Sequence, residues 1–272
     1  LGVEWDLPWV KGLKLRAKGS YRYYIKDNKS WRKDAAQYAW DSLEPTYASK
    51  PQLSQYGELG NSWTLQYFAE YNRTFGKHSV SALGGYEYTS GFGHSMGLVR
   101  KNYDFPIDQI NPGPSSTMEN SGGEWENGRA GWVGQVKYNY DNRYMAEVSG
   151  RYDGHYYFAP GKRFGFFPAF SLGWNLREES FMKDVEWMDK LKLRLSYGES
   201  GNLAGSSYQY MSDYGFGNAV NFGGVPMMGM WENLQGNPNI TWEKAKKFDF
   251  GVEFSVLNGM FSLEADYFYE KR

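Results

Sequence analysis

Nine aromatic residues stand outside any repeating pattern in this chain: Trp31, Trp40, Trp125, Tyr156, Tyr157, Tyr208, Tyr210, Phe222 and Trp231. A flat ring covers the apolar face of a sugar, while neighbouring Asn, Asp and Glu side chains bond its hydroxyls. Six of the nine, Trp31, Trp40, Trp125, Tyr156, Tyr157 and Trp231, are therefore the candidate ligand-binding residues, with Trp125 and Trp231 first. The competing use is that these rings hold the links together or meet a partner protein. For any single residue that is the commoner role of an aromatic side chain.

Little else has the residue types or spacing for chemistry. His78 falls in a tight turn, His94 in a Gly-rich stretch and His155 just after Asp153 and Gly154. An Asp–His pair would activate water in a hydrolase, but nothing else here supports one. Glu147, Asp153, Glu253, Glu264 and Asp266 recur beside Lys137, Arg151, Lys192 and Arg194, which reads as a wet, charge-laced surface rather than an acid–base pair. The stretch from Gly215 to Gly224 lacks the Gly spacing and the Lys-Ser/Thr of a phosphate loop. Met227, Met228 and Met230 could touch a ligand softly or pack under the same link. With no Cys there is no disulfide, thiol nucleophile or Cys-ligated zinc. No EF-hand spacing appears either. No catalytic residue, metal ligand or cofactor is assigned, and a net charge of -1 offers no field for nucleic acid.

The elements that must position the aromatics are strands. Aromatic residues make up 19% of the 272 residues, too many for a disordered chain, and 33 Gly supply turns. In residues 13–23, Leu13, Leu15, Ala17, Gly19, Tyr21 and Tyr23 alternate with Lys14, Arg16, Lys18, Ser20 and Arg22. A period of two over that length is a strand, since a helix would mix the two sets. Similar alternation recurs around Leu65–Tyr71, Val80–Tyr88, Trp132–Tyr140, Tyr144–Tyr152, Phe170–Leu176, Leu191–Tyr197, Phe248–Val256 and Leu263–Tyr269. With a partial strand at 2–7, the pattern predicts ten strands. Several reach the ~9–11 residues needed to cross a bilayer at a tilt, with Tyr and Trp near their ends.

The expected links are Pro8–Gly12, 26–61, Phe75–His78, 91–129, Tyr140–Arg143, Gly154–Arg163, 178–190, 199–241 and Leu257–Gly259. Short and long alternate. That is the signature of an up-and-down membrane barrel, with short turns on one side and long loops on the other. The 178–190 link is the moderate exception, and Phe181, Val185 and Met188 are spaced to share one face of a short rim helix. The expected fold class is all-β: an antiparallel up-and-down transmembrane β-barrel segment. Two rivals remain: a self-contained outer-membrane barrel with a structural or hydrolase role, and a soluble glycan-binding β-sandwich. Both ends of the chain read as cut from a longer protein.

Specific stretches carry a resemblance. They include Tyr140-Asp141-Asn142-Arg143-Tyr144, Arg151-Tyr152-Asp153-Gly154, Arg163-Phe164-Gly165-Phe166-Phe167-Pro168, Glu178-Glu179-Ser180-Phe181, Leu191-Lys192-Leu193-Arg194-Leu195-Ser196-Tyr197-Gly198 and Gly236-Asn237-Pro238-Asn239-Ile240-Thr241-Trp242-Glu243. Earlier, Asp6-Leu7-Pro8-Trp9 and Lys29-Ser30-Trp31-Arg32 add to them. In these the chain resembles the SusC/RagA family of TonB-dependent outer-membrane transporters, typical of Bacteroidetes. The resemblance implies about ten strands of a 22-stranded barrel, so residues 1–272 would be a partial TonB-dependent receptor β-barrel domain. The plug and the TonB-contacting segment have no counterpart here. It further implies outer-membrane lipid around the barrel, a SusD-like surface lipoprotein, the TonB complex acting through the missing N-terminal part, and an oligosaccharide or peptide as cargo.

Overall fold

A computed structural model describes residues 1–41, 43–203 and 205–272, with the side chains of 218–220 and 226 left aside. Fourteen strands account for most of these residues: β1 (Gly2–Asp6), β2 (Leu13–Arg32), β3 (Ala35–Tyr38), β4 (Pro45–Ser49), β5 (Gln52–Phe75), β6 (His78–Lys101), β7 (Glu119–Tyr140), β8 (Tyr144–His155), β9 (Phe164–Asn175), β10 (Met188–Asn202), β11 (Asp213–Phe222), β12 (Val225–Leu234), β13 (Glu243–Val256) and β14 (Phe261–Lys271). Ten form one antiparallel sheet in the order β1-β2-β5-β6-β7-β8-β9-β10-β13-β14. β3–β4 and β11–β12 are separate two-stranded hairpins. Each strand of the large sheet therefore lies beside its chain neighbours, the meander expected from the alternating link lengths. No helix is long and apolar enough to cross a membrane, which says nothing of strands.

The chain divides into two compact units. One comprises Leu1–Gly19, Leu65–Tyr88 and Gly128–Arg272, the other Ser20–Thr64 and Thr89–Asn127. In the first unit, register turns sequence alternation into cross-strand rows. Val136, Val148, Phe170, Tyr197, Phe248 and Tyr269 form one row, and Tyr138, Ala146, Leu172, Leu195, Phe250 and Tyr267 the next. These side chains stay open: Val136 is 51% exposed, Val148 52%, Phe170 48% and Leu172 58%. No second sheet among the described residues lies on this face, so the soluble-sandwich reading lacks its other half. Water-soluble monomers rarely leave so continuous an apolar surface uncovered.

The opposite face of the same strands is charged and internally paired. Lys137 meets Glu147 at 3.4 Å, and Arg151 reaches Asp153 at 2.9 Å and Glu87 at 3.2 Å. Arg194 bridges Glu253, Glu264 and Asp266 at 3.0, 2.7 and 2.9 Å. Single exposed pairs contribute little. Their consequence is that the face is polar and wet with its charges balanced.

The tight turns follow their sequence. Between β7 and β8, Asp141 (φ 52°) and Asn142 (φ 56°) form a two-residue turn closed by the Arg143 N–H to the Tyr140 carbonyl at 2.8 Å, the mirror-image type that suits strand twist. At the β1–β2 turn Gly12 has φ +90°, and a Cβ there would sit 2.2 Å from the Asn72 carbonyl oxygen, so only glycine fits.

Three expectations change. The predicted links 26–61 and 91–129 are largely strand, because β2, β5, β6 and β7 run 20, 24, 24 and 22 residues. Trp31 and Trp125 consequently sit on strands, as do Phe222 and Trp231 on the β11–β12 hairpin, rather than in irregular loops. The rim helix is not formed. Its place is taken by two 3₁₀ turns, Leu176–Glu178 and Ser180–Met182. The Arg177 guanidinium donates to the carbonyls of Met182 and Met188, and Glu179 is drawn to strand side chains. Phe181 is exposed and Met188 buried, so the two share no face.

Candidate functional site

The most organised ligand-type surface lies in the second unit, on the polar parity of its strands. Thr64 and Thr89 hydrogen-bond across β5 and β6 at 3.4 Å, a register that sets Gly60 opposite Gly93. Aromatic rings cover both glycines. A Cβ on Gly60 would lie 2.5 Å from Tyr24 Cε1 of β2, and one on Gly93 the same distance from Trp125 Cε2 of β7. The two rings thus reach inward from β2 and β7 across backbone that no larger residue would leave open.

A carboxylate completes the group. Tyr24 Oη donates to Glu58 Oε1 at 2.7 Å and Tyr56 Oη to Glu58 Oε2 at 3.0 Å. Trp125 stands within reach of the same carboxylate. Lys26 Nζ lies 5.4 Å from the Tyr56 ring centroid, a cation–π distance that also balances the charge. An ionised carboxylate has about four acceptor positions, and the two phenols occupy two of them. Chemically the arrangement offers ring faces for C–H groups and a fixed acceptor for hydroxyl or ammonium donors.

Of the six candidates from sequence, only Trp125 joins this group. Trp31 is half-buried and meets Tyr103 edge to face at 5.0 Å. Tyr103 is buried, which pushes its hydroxyl pKa up, and its Oη donates to the Gln109 carbonyl at 2.9 Å. Trp31 therefore helps to fasten the 102–118 link. Trp40, between β3 and β4, is fully exposed. Tyr156 and Tyr157 are brought together, ring centroids 4.9 Å apart, with His155 against both and Tyr208 5.6 Å from Tyr156. Burial raises the Tyr156 pKa, and below it Phe158 is wholly buried against Trp242. That cluster holds links together. Trp231 lies over Gly215 of the facing strand.

Sequence reading passed over Tyr24, Lys26, Tyr56 and Glu58. The available signal was the alternation of Tyr24 and Lys26 beyond Tyr23, and of Tyr56 and Glu58 on one strand face.

The family model described as "TonB dependent receptor-like, beta-barrel" matches residues 1–272. TonB-dependent receptor P26 of Formosa agariphila is 29% identical over 248 residues, spanning 83% of this chain and 24% of its own length. TonB-dependent receptor SusC of Bacteroides thetaiotaomicron is 32% identical over 145 residues, spanning 52% of this chain and 14% of its own. A solved structure described as the RagAB peptide transporter superposes with TM-score 0.78 over 97% of this chain and 28% of that one, at 23% identity, a likeness of fold. The chain thus spans about a quarter or less of the length of these curated relatives.

Proposed function

The chain belongs to the TonB-dependent receptor-like β-barrel family, and from that premise we propose that it forms wall strands of a SusC-type outer-membrane importer. The observation that carries this is the two-faced sheet: exposed apolar rows on one side and balanced charges on the other. The apolar face meets lipid and the polar face lines the lumen. Residues 1–272 are a partial barrel domain, and the plug and TonB-contacting segment belong to the rest of the full-length protein. The links at 33–51, 102–118, 156–163 and 203–242 face outside the cell, and the short turns face the periplasm. A SusD-like surface lipoprotein covers the external side, and energy comes from the TonB complex. The cargo is an oligosaccharide or a peptide.

Trp125, Tyr24 and Glu58 contact that cargo on its way through the lumen. In the full-length transporter, Trp125→Ala with Glu58→Gln is expected to weaken binding of the preferred oligosaccharide or peptide about tenfold or more, the scale of a central aromatic contact. Calorimetric titration of a panel of both cargo classes gives the number. Trp231→Ala should change it less, since that ring is spent on Gly215. Unchanged uptake and binding after Trp125→Ala and Trp231→Ala together would remove the aromatic residues from the cargo path.

A further inference from the structure

On β10, β13 and β14 the apolar face ends in a sharp change of chemistry toward the 203–242 link. An aromatic rank, Tyr197, Phe248 and Tyr269, is followed two residues on by a charged rank, Glu199, Lys246 and Lys271. Lys246 and Lys271 are direct cross-strand partners on one face. Like charges so placed repel, and an anion between them relieves the repulsion. The neighbouring carboxylate does not suffice. Glu199 accepts from Tyr197 Oη at 3.0 Å and is shared by Lys244 Nζ at 3.5 Å and Lys246 Nζ at 3.8 Å. One carboxylate is therefore shared by two ammonium groups, and Lys271 stands directly across from the second of them.

We propose that Lys246 and Lys271 bind the phosphate of a lipid headgroup in the leaflet at the long-link end. This rests on the reading of the apolar face as lipid-facing. The depth is appropriate: rings such as Tyr197 and Tyr269 settle at the membrane boundary, and the lysines lie about 7 Å farther along the strands, at headgroup level. Their methylene stems lie along the aromatic rank while the ammonium heads converge on the anion. Two charge-assisted donors hold a phosphate oxygen pair, and each lysine near an anionic surface adds to the binding.

The test uses the full-length protein in nanodiscs of phosphatidylcholine doped with phosphatidic acid, with retained lipids counted by native mass spectrometry. Wild type should retain phosphatidic acid preferentially. Lys246→Gln with Lys271→Gln should reduce that preference roughly tenfold to thirtyfold, and the paired Lys→Arg variant should keep it. An unchanged preference in the Gln variant overturns the proposal. So does displacement of the lipid by inorganic phosphate, which would mark a site for the free ion. A photoactivatable acyl-chain probe in the same nanodiscs tests the underlying reading. Labelling around Leu195 and Phe250 with an unchanged lipid preference defeats the phosphate site alone, whereas absent labelling defeats the lipid-facing assignment itself.

Discussion

An arginine at Val148 is expected to destabilise the full-length protein in lipid by about 2–4 kcal/mol, and one at Ser149 to cost little. The two residues are adjacent in β8, yet the pleat sends them to opposite faces. Val148 pairs with Val136 and Phe170 in an exposed apolar row. It also lies midway between Tyr144 and Tyr152, the aromatic residues at either end of the apolar stretch, about 13 Å of strand from each. If those rings mark the two membrane boundaries, Val148 is at the midplane, where a cation is most costly. Ser149 pairs with Gln135 and Ala169 on the charged face, where an added guanidinium stays hydrated and meets acidic neighbours such as Glu147. Urea unfolding in vesicles, with the amount of protein recovered in the outer-membrane fraction, measures both effects. Equal losses at the two positions, or a greater loss at Ser149, would sink the assignment of faces.

That contrast was legible in the sequence because its cause is local. Leu13 to Tyr23 alternate strictly, and Tyr144 to Tyr152 do so apart from Met145, since one face needs apolar groups and the other must stay polar. The ten strands of the sheet follow, as do the short turns at Asp141–Asn142 and Gly76. Where both faces of a strand are wet, the signal vanishes. Residues 89–101 of β6 read Thr-Ser-Gly-Phe-Gly-His-Ser-Met-Gly-Leu-Val-Arg-Lys, with three glycines on one parity and with Ser90, His94 and Arg100 interrupting Phe92, Met96 and Leu98 on the other, so no clean alternation announces that the strand continues. The same blindness hid the group of rings around Glu58. Tyr24 and Glu58 are 34 residues apart, and Gly60 and Gly93 gain meaning only when register lays Tyr24 and Trp125 over them. The β11–β12 hairpin did carry a usable signal in Gly223–Gly224, both with positive φ. Tyr156 and Tyr157 stood out in the sequence only by lying outside the strand pattern; the packing of the adjoining Phe158 against Trp242 is a contact that no linear reading reveals.

Replacing Glu179 should disturb the short-turn end more than any other single polar change there. This carboxylate is 8% exposed and accepts from Tyr144 Oη and from Trp174 Nε1 at 3.0 Å, with Arg143 Nη1 at 3.9 Å. Arg143 also reaches Asp141 at 3.3 Å, and Asp141 meets Lys77 at 2.8 Å. One chain of contacts therefore ties the turns before β6 and β8 to the link before β10. It also fixes the stacked rings Tyr140, Tyr144 and Trp174. The Tyr144 hydroxyl, and then the Trp174 indole, hold the Glu179 pKa below its ordinary 4.5. A carboxylate lowered in this way contributes its full stability above that ordinary value, and loses it as pH falls through the lower folded value. Asp141 is lowered too, chiefly by its bond from Lys77, and acts in the same direction. Glu179→Gln is thus expected to lower Tm at neutral pH by about 2–4 °C and to flatten, without abolishing, the acid-induced loss below pH 4.5. Glu179→Ala should cost more, because it leaves the phenol, the indole N–H and the guanidinium without their acceptor. Thermal melts of the detergent-solubilised full-length protein across the acid range decide the matter: if Glu179→Gln keeps the wild-type acid slope, the carboxylate is not what locks this rim.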